Sequence, residues 1–204
     1  MKKHILFFAL ILSSAVGFSQ DLPQHSQFTK IEQRVGLTDI SIQYSRPNVN
    51  KRKVFGDVIA FDTIWRLGAN SCTKFTTSSS IDFGGKLLRA GEYALFATIS
   101  EKGVWTLHFN SNSKQWGSYD YDPELDVLTI SEKGQRNQHK ESLDIHFDFV
   151  NHEKGLLVLH WHEQKVTFKF TVPTSELAQR SIEEATKKEE KQELVYSNAA
   201  EYYL

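Results

Sequence analysis

The sequence predicts an all-β protein, an antiparallel two-sheet β-sandwich with a C-terminal α-helix, and three observations carry that prediction. Apolar and polar residues alternate through most of residues 26–172, Gly and Asn break the alternation into short segments, and after Pro173 the spacing becomes that of a helix. Strands that are apolar on one face must bury that face against a second layer, so many of them imply two packed sheets.

Residues 1–19 stand apart. Lys2 and Lys3 precede an apolar run from Ile5 to Leu12, and Gly17 and Ser19 are the small residues a signal peptidase reads. A signal peptide cut before Gln20 is expected, leaving a periplasmic or secreted chain with no membrane span. The β-sandwich domain is assigned to 20–173 and a helical tail to 174–204.

Within the domain, alternation turns Ile40/Ile42/Tyr44, Trp105/Leu107/Phe109, Leu143/Ile145/Phe147/Phe149, Leu157/Leu159/Trp161 and Val166/Phe168/Phe170/Val172 inward. YALFATI at 93–99 is apolar on both faces and is expected to be central. Glu-Lys-Gly recurs at 101–103, 132–134 and 153–155, and two of these are expected to close hairpins with glycine in the left-handed region, as is Gly84-Gly85. Residues 47–69 and 110–124 are the long connections, where function concentrates on a β scaffold. After Pro173, Thr174 or Ser175 is placed to cap a helix in which Glu183/Lys187 and Glu184/Lys188 sit four apart. The chain ends on Tyr202, Tyr203 and Leu204, expected to dock on the sandwich or meet a protein partner.

A formal net charge of −1 gives no global attraction to nucleic acid or an anionic membrane surface. Cys72 is the single cysteine, so no intramolecular disulfide can form, and a small buried thiol is the expected role.

Seven segments occur in order: YSRP at 44–47, RKVFG at 52–56, WRLGAN at 65–70, AGEYALF at 90–96, WTLHFN at 105–110, WGSYDYD at 116–122 and LVLHW at 157–161. With these the chain resembles the bacterial family catalogued as domain of unknown function 2911. The resemblance implies an exported, mostly β protein of a Gram-negative bacterium, in a family without an assigned activity.

Three constellations could carry chemistry. In the first, Arg46 and Arg66 offer planar forks suited to carboxylate or phosphate, with Lys51, Arg52, Lys53 and Asn70 nearby in sequence. The basic loop is expected to be mainly internal, with Arg46 or Arg66 held against the acidic segment 120–126 and Lys51 to Lys53 in solvent. In the second, an extended WGSYDYD would set Asp120 and Asp122 on one side and Tyr119 and Tyr121 on the other, with Trp116 upstream. Carboxylates beside aromatics suit a glycan. Asp120, Asp122, Glu124 and Asp126 also alternate as in a calcium loop, but Leu125 and Ser131 stand where the turn glycine and closing glutamate belong.

The third is histidine-rich. A hairpin loop at Glu153-Lys154-Gly155 sets Phe147 opposite Trp161, His146 opposite His162 and Asp148 opposite His160. This gathers His146, Asp148, His160 and His162 on one wet patch, ordinary surface or a surface zinc site. No other cofactor is expected. The function expected is a module binding a small molecule, glycan or protein. The rival is a polymer hydrolase or lyase using Asp120, Asp122, Arg46 and Arg66.

Overall fold

The computed structural model describes residues 23–187 and 192–203; the expected signal segment lies outside them. The chain runs through β1 (Gln27–Val35), β2 (Thr38–Arg46), β3 (Ala69–Thr77), β4 (Ile81–Asp82), β5 (Leu87–Leu88), β6 (Gly91–Ile99), β7 (Val104–Asn110), β8 (Asp126–Lys133), β9 (Gln135–Asn151), β10 (Lys154–Thr171), α1 (Thr174–Thr186) and α2 (Gln192–Tyr203). Strands β1-β2-β3-β6-β7-β8 form a six-stranded antiparallel sheet, and β5-β4-β10-β9 a four-stranded one. The expected sandwich is therefore present, followed by two helices where one was expected. Among the described residues no helix is long and apolar enough to cross a membrane.

Alternation fixes which faces meet. Ile40, Ile42, Tyr44, Phe75, Leu95, Trp105, Leu107 and Phe109 of the larger sheet share one buried core with Leu143, Ile145, Leu157, Leu159, Trp161, Phe168 and Phe170 of the smaller. YALFATI is central as expected, β6 lying between β3 and β7. Phe149 breaks the pattern: at the end of the long hairpin it projects past the core and is exposed. The loop after β2 closes one end of the sandwich. Trp65 stacks on Trp161 at 5.6 Å, while Phe55 sits edge-on to Trp105 at 5.6 Å and to Trp161 at 6.2 Å. RKVFG and the tryptophan of WRLGAN are thereby accounted for as packing.

Strand β10 turns back on itself. An extended strand of its eighteen residues would span about 60 Å, yet the Val172 amide donates to the Glu153 carbonyl at 2.8 Å. His162 makes the corner, in the left-handed region at φ 53°. The returning half needs Gly155, since a Cβ there would meet the Phe170 ring at 2.4 Å.

The β9–β10 register corrects the expected one. Asn151 pairs with Lys154, so the turn is His152-Glu153 and not Glu153-Lys154-Gly155, and Phe147 faces Leu157 instead of Trp161, a slip of four residues. An even slip preserves which side chains point inward, which is why the hydrophobic pattern could not detect it. His146 now faces Val158, Asp144 faces His160 and His162 faces Lys140. Glu-Lys-Gly at 101–103 is the expected hairpin turn, with Gly103 at φ 72°, and Gly84 and Gly85 turn β4 into β5 at φ 67° and 91°.

The β2 terminus corrects a second expectation. Arg46 is internal, but its partners are on β9: Nε donates to the Leu143 carbonyl at 2.8 Å and Nη2 to Asp144 Oδ1 at 3.0 Å. Beside it the Ile145 amide donates to the Tyr44 hydroxyl at 2.9 Å. YSR thus clamps the two sheets together at their margin. Lys51, Arg52 and Lys53 are exposed, although Arg52 also donates to the Val49 and Asn48 carbonyls.

At the start of α1 neither hydroxyl caps the helix. Thr174 Oγ1 donates to the His152 carbonyl and Ser175 Oγ to Glu153, fastening α1 to the β9–β10 turn. The backbone of Tyr202 and Tyr203 belongs to α2; their side chains, and Leu204, lie outside the described residues.

Candidate functional site

The outer face of the six-stranded sheet holds a concentration of polar groups turned away from the main core. Strand parity turns Gln43 and Ser45 of β2, Asn70, Cys72 and Lys74 of β3, Glu92, Phe96 and Thr98 of β6, and His108 and Asn110 of β7 away from the main core. Over one end of this face folds the 111–125 connection, which carries WGSYDYD. Tyr121 packs its ring edge on Phe96 at 4.9 Å. With Cys72, Ala94 and Ile64 these rings form a small second core that seats the loop.

A hydrogen-bonded cluster fixes that loop. Asp126 accepts from the Tyr121 hydroxyl at 2.6 Å and from Asn110 Nδ2 at 2.9 Å, and lies 3.0 Å from His108 Nδ1. Thr98 Oγ1 is 3.2 Å from the other ring nitrogen of His108. Burial first, and then the bond to Asp126, raise the Tyr121 phenol above its ordinary range, so it remains a donor. The order hydroxyl, imidazole, carboxylate is that of an acyl-transfer triad, but the backbone around Thr98 is engaged in the unbroken β6–β7 ladder. The cluster acts by holding the loop in place.

Beside it lies a groove of about 290 Å³, walled by Phe28 and Trp116, floored by Gln43, Ser45, Ser71, Cys72 and Gln115, and edged by Lys74 and Lys114. Trp116 is 59% exposed and Tyr119 80%, their rings parallel within 10° at 6.2 Å. Asn70, in the left-handed region at φ 60°, donates to Ser45 Oγ at 3.2 Å and to Gln24 at 2.6 Å, tying down the groove floor. Lys74 pairs with Glu92 at 3.3 Å, and Ser113 Oγ donates to the same carboxylate at 2.8 Å. The Ser113 bond first, and Lys74 with it, lower the Glu92 pKa. This tether is therefore intact above the ordinary carboxylate range and is lost as pH falls through the lowered value.

Arg66 lies on the far side of the loop, outside the residues that line the groove. A Cβ on Gly117, at φ 71°, would lie 3.3 Å from Arg66 Nη1, so glycine lets the loop close over the guanidinium. The Arg66 Nε is buried with no hydrogen-bond partner. Among the described residues no ion pair includes Arg66. The expected pairing with residues 120–126 is thus replaced: Asp126 is bound to His108, Asn110 and Tyr121, and Asp122 caps the short turn at 123–125 through the Glu124 amide at 2.9 Å.

The residues expected from sequence are therefore only partly assembled. Trp116 walls the groove with Tyr119 stacked on it and Asn70 bonded to Ser45 of its floor, Arg66 lies behind the loop, and Arg46 is committed to Asp144 on β9. WGSYDYD is not an extended strand: Tyr119 faces solvent and Tyr121 packs inward, and Asp120 and Asp122 are exposed. The 47–68 loop lines no part of the groove. His108, Lys74, Lys114 and Glu92 were missed, although the outward parity of His108 within WTLHFN could have singled it out, and Asp126 was expected only as part of the acidic segment facing an arginine.

The register splits the histidine patch, leaving His146 beside Asp148 while His160 and His162 find other partners. His146 Nδ1 is 3.0 Å from Asp144 and its Nε2 3.8 Å from Asp148, His160 Nε2 contacts the Gln138 carbonyl at 2.8 Å, and His162 packs against the ring of His139 at 5.3 Å. Among the described residues no group of three potential ligands is arranged to hold a metal ion.

Cys72 is buried as expected, and burial pushes its thiol up to about 12. It should resist iodoacetamide in the native protein at pH 8 and react stoichiometrically once unfolded, by mass spectrometry.

The fold is a β-sandwich consistent with a binding module, with a recess on the outer face of one sheet. The chain belongs to the family described as Protein of unknown function (DUF2911), whose model matches residues 26–170, from the start of β1 to the end of β10. No curated protein and no solved structure matches it.

Proposed function

We propose that the protein is an exported module of the bacterial envelope that binds an anionic, polyhydroxylated ligand, a carboxylate-bearing glycan, in the groove beneath Trp116. The observation that carries this reading is Arg66, a guanidinium with its Nε buried and unpartnered behind the loop that carries the aromatic wall. A partly buried charge without a partner is costly, and an anion on the same face would offset it. Exposed parallel rings suit the apolar faces of sugars, and the hydroxyls and amides of Ser45, Ser71, Gln43 and Gln115 suit their hydroxyl groups. The groove is at the low end of the size of small-ligand sites, about 300–1000 Å³, which favours one or two sugar units over a long chain.

Export rests on the leader at residues 1–19. Intact mass of protein recovered from the producing cell should correspond to a chain beginning at Gln20, and retention of the leader would remove the envelope assignment.

Binding is tested by titrating trigalacturonate, with neutral maltotriose as control. Trp65, Trp105 and Trp161 are buried, so an emission change on binding reports Trp116 and should vanish in Trp116→Phe. The acidic sugar should bind, more weakly as salt rises, and the neutral one should not. Equal binding of both sugars, or of neither, rejects the reading.

A further inference from the structure

Strand β1 is an edge of the larger sheet, with a strand partner on one side only. It pairs with β2 over all nine residues without a register break. Its other side carries the unpaired backbone groups of an edge, with no proline or bulge to blunt it. The opposite edge is treated differently: β8 has a register break at its start, and Lys86 Nζ donates to the Thr129 carbonyl at 3.0 Å.

From the charge pattern of this edge we infer that β1 pairs antiparallel with β1 of a second copy, joining the two large sheets through a two-fold axis at Ile31. Phe28, Lys30, Glu32 and Arg34 all point to the outer face and are exposed. Two copies related by a two-fold axis keep outer faces together only in registers that move by whole residue pairs. One such register overlaps all of Gln27–Val35, with Ile31 opposite Ile31, and it sets Lys30 of each copy opposite Glu32 of the other. It also sets Phe28 opposite Arg34, a cation against an aromatic ring. Slipping one step either way brings Lys30 against Lys30 or Glu32 against Glu32. Charge complementarity and maximal overlap therefore select the same pairing.

The present partners of these groups do not oppose it. Lys30 pairs with Glu32 on its own strand and Arg34 with Asp39, all four side chains being about half exposed or more. Such pairs are weak and exchange readily. Ile31, only partly buried at the margin of the core, gains cover. Phe28 also walls the groove, so Arg34 of the second copy would bring a further cation to the rim of the site. That last consequence rests on the anion-binding reading; the dimer does not.

Sedimentation equilibrium of the mature chain tests the pairing by charge exchange. The protein should be a dimer, and Lys30→Glu and Glu32→Lys should each raise the dissociation constant at least about tenfold, because each sets like charges opposite at both ends. Mixing the two variants should restore the dimer as a one-to-one heterodimer, visible by native mass spectrometry when one variant is uniformly labelled with nitrogen-15, since the two acids of one chain then meet the two lysines of the other. Circular dichroism melts keep unfolding apart from dissociation. A monomer at about 100 μM, single variants that still dimerise normally, or a mixture that fails to recover would each overturn the inference. Failure of trigalacturonate to bind would leave it standing.

Discussion

Replacing Trp161 with alanine is expected to cost about 3–5 kcal/mol, a large part of the roughly 5–15 kcal/mol that holds a domain folded. The side chain is fully buried, stacked on Trp65 and met edge-on by Phe55, and its indole donates to the Glu141 carbonyl at 3.3 Å. Two parts of the chain converge there: β10 and the long connection between β2 and β3, which supplies both Trp65 and Phe55. Truncation leaves a cavity that the packed rings cannot close without moving that connection, so transfer and cavity costs add. Urea melts supply the comparison. Trp161→Phe should retain more than half of the lost stability, while Trp116→Ala, on an exposed ring, should change it by less than about 0.5 kcal/mol. A loss below about 1 kcal/mol for Trp161→Ala would mean that the aromatic cluster fills space without holding that end of the sandwich together.

The contrast between those tryptophans shows what was legible in the sequence. Burial of Trp161 and Trp105 follows from period-two alternation within their strands, a local property, and both are buried. The register of β9 on β10 is not local: Glu-Lys-Gly offers more than one turn, and the two registers bury the same side chains. Hence the inward set survived and the histidine patch did not. Arg46 illustrates the same limit, since its carboxylate partner Asp144 lies 98 residues downstream on the other sheet. The His108–Asp126 pair is separated by a loop whose length hides the β7–β8 register, so two outward polar residues could be suspected individually but not joined.

Arg66→Met is expected to separate stability from binding. Were Arg66 a member of a buried ion pair, as its sequence setting suggests, removing it would strand a carboxylate and cost roughly 3–5 kcal/mol. Its Nε instead has no partner, and Asp122 and Asp126 have found others. Methionine keeps much of the aliphatic stem and removes the unsatisfied donor, whose burial costs about 1–3 kcal/mol. The side chain is only half-buried, so a gain near the low end, about 1 kcal/mol, is expected in urea melts. Trigalacturonate affinity should fall by about 2 kcal/mol or more, some thirtyfold, because the acidic ligand loses the cation behind the groove. Arg66→Lys should recover only part of that affinity, a point charge replacing a fork. Such opposition, a variant more stable and less able to bind, is what a group strained for ligand recognition produces. Loss of several kcal/mol with binding intact would assign Arg66 to the scaffold and move the search for the anion site to Lys74 and Lys114.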